Sequence, residues 1–166
     1  MGVAPLVALC DELAKFKKKN ITVILGAKTV DYIVCEKEFK DLKAKVVVTT
    51  EDGTRGIKGL VTDALVDIIK QFDLREDAGK LQSKDISSAT IGSYYPQVGV
   101  YTCGCKAMLK EIARICKYYR IKAQASMEER MGCGVGACLG CVVNTTKGYK
   151  RVCKDGPVFD LEEIIF

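Results

Sequence analysis

The stretch 21-ITVILGAKTVDYIVCEKEFKDLKAKVVVTT-50 contains two short apolar runs on either side of a more polar segment. Both runs, ITVILG (21–26) and KVVVTT (45–50), are rich in β-branched residues, which is typical of strands buried on both faces of a parallel sheet. Between them, residues 36–42 predict a short helix. A strand–helix–strand order of this kind indicates an α/β fold.

The alternation continues on both sides of this stretch. Apolar residues at three- and four-residue steps predict helices in three places, and two further runs, VGVYTCG (98–104) and KAQASM (122–127), predict strands. The polar segment 73–97 predicts a long loop with at most a short helix. We therefore expect a doubly wound parallel sheet. The apolar positions of the three helices are Leu6, Leu9, Cys10, Leu13 and Phe16; Val61, Leu65, Ile68, Ile69 and Phe72; and Met108, Ile112, Ile115, Cys116 and Tyr119.

Composition places the chain among globular proteins. Its 166 residues are 48% hydrophobic and 28% charged, enough for one domain and a small appended module. No apolar run approaches the roughly 20 residues of a membrane span, and the N-terminus carries no signal-like segment. We therefore expect a cytoplasmic protein that binds no membrane. The net charge of +5 is modest, and its densest basic run, KFKKK (15–19), suits the end of a helix, so we expect no nucleic-acid partner.

The predicted sheet lacks its usual first strand. The chain opens with Gly2-Val3-Ala4-Pro5 and a helix, an order that resembles the tail of a glycine-rich strand-to-helix turn. In doubly wound sheets the first strand is normally central, so its neighbours would have unpaired edges without it. Either another polypeptide supplies that strand or the sequence is a fragment of a longer protein. We favour the fragment.

Four cysteines near the C-terminus have a distinctive spacing, Cys133-x4-Cys138-x2-Cys141-x11-Cys153. The first three follow the C-x4-C-x2-C pattern of plant-type [2Fe–2S] proteins, in which a distant fourth cysteine completes the ligand set. Glycines at 132, 134, 136 and 140 allow the backbone to curl around such a centre and allow amide N–H groups to approach the sulfurs. The pattern predicts a [2Fe–2S] cluster with these four cysteines as metal ligands.

Two other interpretations of the four cysteines remain open. Structural zinc sites usually combine paired C-x2-C units or mixed Cys/His sets, whereas the first gap here is four residues and the chain contains no histidine. Four buried structural cysteines would not require a glycine-rich loop. The [2Fe–2S] interpretation is favoured over both.

The remaining cysteines and one loop carry weaker signals. Cys103-Gly104-Cys105 has a shorter spacer than the C-x-x-C of disulfide exchangers, so thiol–disulfide catalysis is disfavoured. Cys10 and Cys116 lie on apolar helix faces, and Cys35 lies in a mixed segment. All three favour packing over chemistry. The run TTEDG (49–53) follows a strand at the end where α/β sheets bind ligands, although an ordinary turn explains it equally well.

Several segments resemble one known family. The runs EERMGCGVGACLGCVV (128–143) and YKRVCKDGPVF (149–159) are similar to the C-terminal cluster domain of the electron-transfer subunits of NAD-linked dihydroorotate dehydrogenases. Upstream, GVAP (2–5), VTTEDG (48–53) and KGLVTD (58–63) match segments of the same family. Cys103-Gly104 followed by Met108-Leu109 resembles the Cys-Gly-Pro-x-Pro-Met-Leu stretch of ferredoxin-reductase-like proteins. The likeness covers essentially the whole chain and is weakest across residues 73–97.

The resemblance implies an electron path. In this family FAD in a preceding β-barrel exchanges a hydride with NAD(H), and a [2Fe–2S] centre relays single electrons between that FAD and an FMN in a catalytic partner that interconverts dihydroorotate and orotate in pyrimidine biosynthesis. The resemblance carries the ligand roles over to the four cysteines. It places Gly2, Val3, Ala4 and Pro5 at the nucleotide pyrophosphate, Cys103 and Gly104 near the nicotinamide, and Asp52 and Gly53 on nucleotide-facing loops.

The chain departs from the family pattern in two ways. No flavin barrel precedes the nucleotide domain, so we expect FAD to be bound by another domain or chain and this chain to be inactive alone. Cys105 replaces the proline expected after Cys103-Gly104. The expected organisation is an incomplete NAD(P)-binding domain at 1–126 and a cluster domain at 127–166. A reductase module for a different oxidoreductase and a zinc-stabilised binding protein are the alternative functions.

Overall fold

The computed structural model describes residues 2–16, 20–76 and 98–166. Among these residues, those within Leu9–Ser93 form one compact unit, and those within Met1–Ala8 and Tyr94–Phe166 form a second. Helix α1 (Ala4–Ala14) contributes residues to both. The boundary expected between residues 126 and 127 stays a prediction.

The unit within Leu9–Ser93 is built on a small parallel sheet. Its strands are hydrogen-bonded in the order β1-β2-β3, and β1 pairs with β2 from Thr22↔Lys45 to Ala27↔Thr50. The two helices of the unit contact this sheet. The elements are β1 (Thr22–Ala27), α2 (Glu36–Asp41), β2 (Lys45–Thr50), β3 (Ile57–Lys58) and α3 (Val61–Glu76).

The core of this unit contains one large, fully buried aromatic side chain. Phe39 in α2 is 0% exposed, and Leu25, Leu65 and Ile69 from β1 and α3 are also buried. Gly26 in β1 allows α3 to approach closely, since a Cβ at this position would lie 2.2 Å from Val61 Cγ1. The β-branched strands and the apolar helix faces therefore meet as the sequence pattern predicts.

The second unit contains a mixed sheet and a hairpin. Strand β5 pairs in parallel with β4 and antiparallel with β8, while β6 and β7 form a separate antiparallel pair. Helix α4 contacts β4 and β5 and buries Leu109, Ile112, Ile115 and Cys116. The elements are β4 (Gly99–Cys103), α4 (Lys106–Tyr119), β5 (Lys122–Ser126), β6 (Val142–Thr145), β7 (Gly148–Arg151), α5 (Val152–Asp155) and β8 (Val158–Asp160).

The α/β class and the parallel pairing predicted from the sequence are confirmed. The four predicted strands and the predicted helices occur at or within about two residues of their expected positions, apart from a longer α3. Residues 73–76, expected in a loop, belong to α3, and residues 77–97 of that expected loop lie outside the described residues. Helix α1 ends at Ala14, immediately before the basic run at 15–19 that was expected at the end of this helix. Residues 17–19 of that run lie outside the described residues.

The structure divides the expected sheet in two. Among the described residues, β1 and β4 each have only one hydrogen-bonded neighbour strand. The absence of a first strand from the expected sheet stays a prediction. No helix in the described part of the chain is both long and apolar enough to cross a membrane.

Replacing Phe39 with alanine should destabilise the chain strongly. The side chain is 0% exposed, and removing a buried phenylalanine typically costs about 3–5 kcal/mol because a cavity remains. The matched control is Phe16→Ala, since Phe16 is 63% exposed and surface substitutions usually change stability by less than about 0.5 kcal/mol. Urea unfolding of both variants tests this prediction, and equal midpoints would contradict the assigned core.

Candidate metal centre

A tight loop surrounds the first cysteine of the cluster motif. The Sγ atom of Cys133 accepts hydrogen bonds from the N–H groups of Ala137 at 3.2 Å and Cys138 at 3.4 Å. This curl requires left-handed backbone at two positions, and both are glycines, Gly134 (φ +68°) and Gly136 (φ +80°). Glycine adopts this region without steric cost, so the glycine spacing predicted from the sequence serves the loop directly.

The second cysteine lies in an equally close backbone environment. Gly140 donates its N–H to Cys138 Sγ at 3.4 Å, and a Cβ at either Gly132 or Gly140 would also come within 3.4 Å of this sulfur. Leu139, which lies between Cys138 and Gly140, also has a left-handed backbone conformation, with φ +58°. The loop therefore places side chains away from the sulfurs and backbone amides towards them.

A hairpin brings the distant fourth cysteine back to the third. The β6–β7 register pairs Val142 with Arg151, and Val152 donates its N–H to the Cys141 carbonyl at 3.0 Å. Cys153 then donates its N–H to Cys141 Sγ at 3.4 Å. The eleven residues between Cys141 and Cys153 therefore form mainly the two strands and the turn of this hairpin.

The hairpin turn is stabilised by its own side chains. Thr145 Oγ1 donates to the Gly148 carbonyl at 2.6 Å and accepts from the Lys147 N–H at 3.2 Å. Gly148 has φ +93°, a conformation that glycine adopts readily. The sequence TTKG (145–148) therefore fixes the register that places Cys153 beside Cys141.

The backbone donors favour thiolates at this site. The N–H groups of Cys138, Val135 and Ala137, together with the Cys138 side chain, lower the pKa of Cys133 to about 6. The Cys153 N–H lowers the pKa of Cys141, and the neighbouring Cys141 sulfur raises the pKa of Cys153. Hydrogen bonds to an ionised group favour that form, so the loop is prepared to hold negative sulfur.

The four sulfurs are arranged as two pairs. The Cys138 side chain hydrogen-bonds to Cys133, and the Cys153 side chain hydrogen-bonds to Cys141. Within residues 2–16, 20–76 and 98–166, no three Cys, Asp, Glu or His side chains are grouped so as to hold a metal ion. The donor set is therefore all sulfur and divided two by two. The roles of these four residues as ligands stay a prediction.

Part of the predicted nucleotide site lies in the same compact unit. A cavity of about 320 Å³ is lined by residues from the N-terminus, the β4–α4 turn and the end of β5: Gly2, Gly104, Cys105, Lys106, Leu109, Met127 and Glu128. Gly2 packs against the end of β4, since a Cβ there would lie 2.2 Å from the Cys103 carbonyl oxygen. Val3 accepts the first hydrogen bonds of α1, from Leu6 and Val7 at 3.1 Å, while Ala4 and Pro5 form its exposed first turn.

Cys103 lies beside an acidic residue that the sequence analysis did not single out. Its Sγ is 3.8 Å from Glu128 Oε1, and burial followed by the Glu128 charge raises the pKa of the Cys103 thiol. A thiol in this environment is protonated at neutral pH and a weak nucleophile. The one available signal for Glu128 was its position directly after β5, where α/β sheets bind ligands.

The other two predicted nucleotide contacts lie in the unit within Leu9–Ser93. Asp52 Oδ1 accepts hydrogen bonds from the Thr54 N–H at 3.0 Å and the Thr54 hydroxyl at 2.7 Å, and the Thr54 donors lower the pKa of the Asp52 carboxyl. Gly53 has φ +81°. Asp52 thus holds the turn together, and its predicted contact with a nucleotide stays a prediction.

The cysteines outside the motif differ in exposure. Cys10 and Cys116 are 2% and 3% exposed, which confirms the prediction that they pack in the interior, and burial raises the pKa of Cys116 to about 11. Cys35 is half-buried and Cys105 is exposed.

Comparison with known proteins places these features in a family. Residues 128–165 match the family model described as the iron-sulfur cluster binding domain of dihydroorotate dehydrogenase B. All of the chain aligns with 56% of the dihydroorotate dehydrogenase B (NAD(+)) electron transfer subunit of Caldanaerobacter subterraneus subsp. tengcongensis, at 39% identity. The corresponding subunit of Desulforamulus reducens is 35% identical over the same shares. The chain therefore spans just over half the length of these curated relatives.

A solved structure gives the same result. The NADH-dependent reduced ferredoxin-NADP oxidoreductase, a structure described in connection with flavin-based electron bifurcation, superposes with a TM-score of 0.71 and 27% identity. The superposition covers 99% of this chain and 50% of that chain. The fold is α/β of the ferredoxin-reductase-like class, and it is followed by a region that matches an iron-sulfur cluster binding domain. Along its whole length the chain is similar to dihydroorotate dehydrogenase B electron transfer subunits, and residues 128–165 match the iron-sulfur cluster binding domain of that family.

The thiol of Cys133 should be reactive in the reduced, metal-free chain. Only the thiolate attacks an alkylating agent, so with a pKa of about 6 its labelling rate should rise as the pH passes about 6 and then level off. Cys116, with a pKa of about 11, should stay unlabelled at neutral pH. Iodoacetamide labelling between about pH 5 and 9, mapped by mass spectrometry, measures both rates.

The control for this experiment is the same chain in urea. Unfolding removes the backbone donors, so the labelling midpoint of Cys133 should move up towards the ordinary cysteine value of about 8.5. Identical midpoints in the folded and unfolded chains would show that the loop does not favour the thiolate.

Proposed function

We propose that the chain is an electron-transfer module that holds a [2Fe–2S] cluster on Cys133, Cys138, Cys141 and Cys153. The observation that carries this proposal is the arrangement of these cysteines as two thiol pairs inside a curl of backbone N–H donors. When bound, such a cluster accepts and donates one electron at a time. The match of residues 128–165 to an iron-sulfur cluster binding family supports the same assignment.

The two-by-two arrangement favours two irons over one zinc. A [2Fe–2S] core takes its four thiolates from protein, two for each iron, whereas structural zinc requires four ligands converging on one tetrahedral centre. The pairs Cys133–Cys138 and Cys141–Cys153 therefore fit the larger, two-metal core better.

The backbone of the loop has a definite part in this function. The N–H groups of Ala137, Cys138, Gly140 and Cys153 donate to cysteine sulfur. These donors offset the negative charge of four thiolates and orient the sulfurs before metal enters. Because hydrogen bonds to the sulfurs also influence the reduction potential, the loop would both hold the cluster and tune it.

We further propose that NAD(H) is the nicotinamide cofactor of this module and that FAD is bound by a segment or chain outside residues 1–166. The cavity bounded by Gly2 and Gly104 supports a nucleotide site at the end of β4, with Cys103 beside it and with Val3, Ala4 and Pro5 at the start of α1. The names of the relatives specify NAD(+).

The proposed physiological partner is the catalytic, FMN-containing subunit of a dihydroorotate dehydrogenase that acts in pyrimidine biosynthesis in the cytoplasm. The similarity of the chain to dihydroorotate dehydrogenase B electron transfer subunits supports this partner. Electrons would pass singly between the FAD and the partner flavin, so the two electrons that one hydride carries would cross one after the other. The likeness to an NADH-dependent ferredoxin-NADP oxidoreductase favours a second candidate, a reductase module that serves a different oxidoreductase.

Exposed apolar side chains surround the motif and support docking of a partner there. Val135 and Leu139 in the loop are 72% and 62% exposed, and Met131 and Tyr149 are 51% and 78% exposed. Exposed apolar residues in one short segment are typical of protein interaction sites. A partner bound over this loop would shorten the distance between the cluster and the partner flavin.

Replacing a single ligand cysteine should abolish the cluster. We expect the chain reconstituted anaerobically with iron and sulfide to bind about two irons, to be red-brown, and to give an electron paramagnetic resonance signal on reduction. Cys141→Ser and Cys153→Ser should lose most of this iron and the signal, because each would leave one iron with one thiolate. The matched control is Cys35→Ser, a half-buried cysteine outside the motif, which should behave as wild type.

Metal analysis separates this function from its alternative. A colourless wild-type chain with one zinc and no iron would overturn the proposal in favour of a zinc-stabilised protein. Full iron content in Cys153→Ser would instead remove Cys153 from the ligand set.

A further inference from the structure

Arg151 connects the two segments that carry the cluster cysteines. It is the last residue of β7 and lies two positions before Cys153. Its side chain crosses to the loop that contains the other three cysteines, where Nη1 donates a hydrogen bond to the Gly136 carbonyl at 3.3 Å. Fifteen residues of chain separate the two groups, so this bond joins parts that are distant in sequence.

Asp155 holds the Arg151 side chain in this orientation. Its carboxylate accepts from Arg151 Nε at 3.1 Å and Nη2 at 3.3 Å, and also from the Arg151 backbone N–H at 2.8 Å. The Arg151 hydrogen bonds lower the pKa of Asp155 to about 2, so the pair is fully ionised at neutral pH. A guanidinium fixed by two such bonds loses little further freedom when it binds a third group.

Gly136 is the residue through which the arginine reaches a ligand. It is buried, so its carbonyl requires a partner, and Arg151 supplies one. On the other side of the same Cα, the Gly136 N–H hydrogen-bonds to Cys153. A Cβ at this position would lie 2.8 Å from Lys154 Cδ and 3.5 Å from Arg151 Cδ. The Gly136 carbonyl and the Ala137 N–H belong to one planar peptide group, and that N–H donates to Cys133 Sγ at 3.2 Å. Fixing the Gly136 carbonyl therefore also fixes the direction of an amide aimed at a cluster cysteine.

We propose that Arg151 is a positioning residue that latches the loop of residues 133–141 onto the segment that carries Cys153. It acts through Gly136 and Asp155 and contacts neither the metal nor the atoms that exchange electrons. The inference rests on the proposed cluster function. The latch keeps the two thiol pairs at a fixed separation, and its positive charge stabilises the reduced, more negative state of the centre.

The positioning effect and the charge effect of Arg151 predict different results for the variants Arg151→Gln and Arg151→Lys. Arg151→Gln removes both the guanidinium hydrogen bonds and the positive charge. This variant should release iron to a chelator roughly tenfold faster than wild type, a typical effect of losing a group that orients a ligand. It should also have a lower midpoint potential. Arg151→Lys keeps the charge but lacks the bidentate fork. It should therefore release iron faster than wild type while its midpoint potential stays close to that of wild type.

Arg114→Gln is the matched control. Arg114 also forms a fork with a carboxylate, Glu111, but within helix α4, so its loss should change neither quantity. The experiment uses the reconstituted full chain, with iron release followed by absorbance and midpoint potentials obtained from resonance-monitored titrations. Far-UV circular dichroism of each variant reports folding, and if Arg151→Gln does not fold, the release rate of Arg151→Lys decides.

The outcomes separate this inference from the proposed function. A wild-type chain that takes up no iron overturns both. A wild-type chain that holds its cluster, together with Arg151 variants that release iron and titrate like Arg114→Gln, overturns the latch alone. Faster release in both Arg151 variants, with a lowered potential only in Arg151→Gln, supports it.

Discussion

The candidate metal centre depends on backbone amides that point at sulfur. Cys133, Cys138 and Cys141 all accept N–H groups from their own neighbourhood, and four thiolates held close together would otherwise repel one another. This requirement explains the left-handed backbone at Gly134 and Gly136, because a loop that turns its amides inward must curl more tightly than ordinary side chains allow. The glycines of this segment are therefore needed because the charged sulfurs require backbone N–H donors around them.

The loop is anchored to the sheet at both of its ends. Strand β5 ends at Ser126 just before the motif, and β8 returns afterwards to pair with β5, with Ala125 opposite Phe159. Backbone bonds from Met127 to the Pro157 carbonyl and from Leu161 to the Ala123 carbonyl, each 2.9 Å, extend this closure. The cysteine segment is thus an excursion from one mixed sheet, which gives a glycine-rich loop the rigid base that a metal centre requires.

The sequence predicted those parts whose pattern is strong and local. The β-branched runs that became β1 and β2 are unambiguous, and so is the spacing of Cys133, Cys138 and Cys141. Strand β8 is three residues long, VFD, with one buried side chain, Phe159. Its pairing with β5 depends on partners 32 to 36 residues away in sequence. Strand β3 has two residues. Periodicity cannot detect elements this short.

In the site, too, features that depend on neighbouring residues could be predicted from the sequence, and features that depend on distant residues could not. The hairpin that returns Cys153 to Cys141 could have been inferred from TTKG, a turn-like run between alternating residues. Arg151 could not, because nothing in the sequence indicates which carbonyl an arginine side chain meets. The position of Glu128 after β5 indicated a ligand-binding edge of the sheet but not the thiol that this carboxylate meets. Their significance lies in partners 15 and 25 residues away, and only the folded chain brings these together.

The pairing of the thiols bears on how the protein can be matured in a cell. Two sulfurs that share a hydrogen bond, as Cys133 does with Cys138 and Cys141 does with Cys153, are also well placed to join covalently when an oxidant removes two electrons and two protons from the pair. A thiol with a depressed pKa such as Cys133 reacts early in that process. The arrangement of thiols that is proposed to bind iron is therefore also the one that air oxidises most easily to disulfides. Newly made chains would have to acquire their irons before oxygen reaches them.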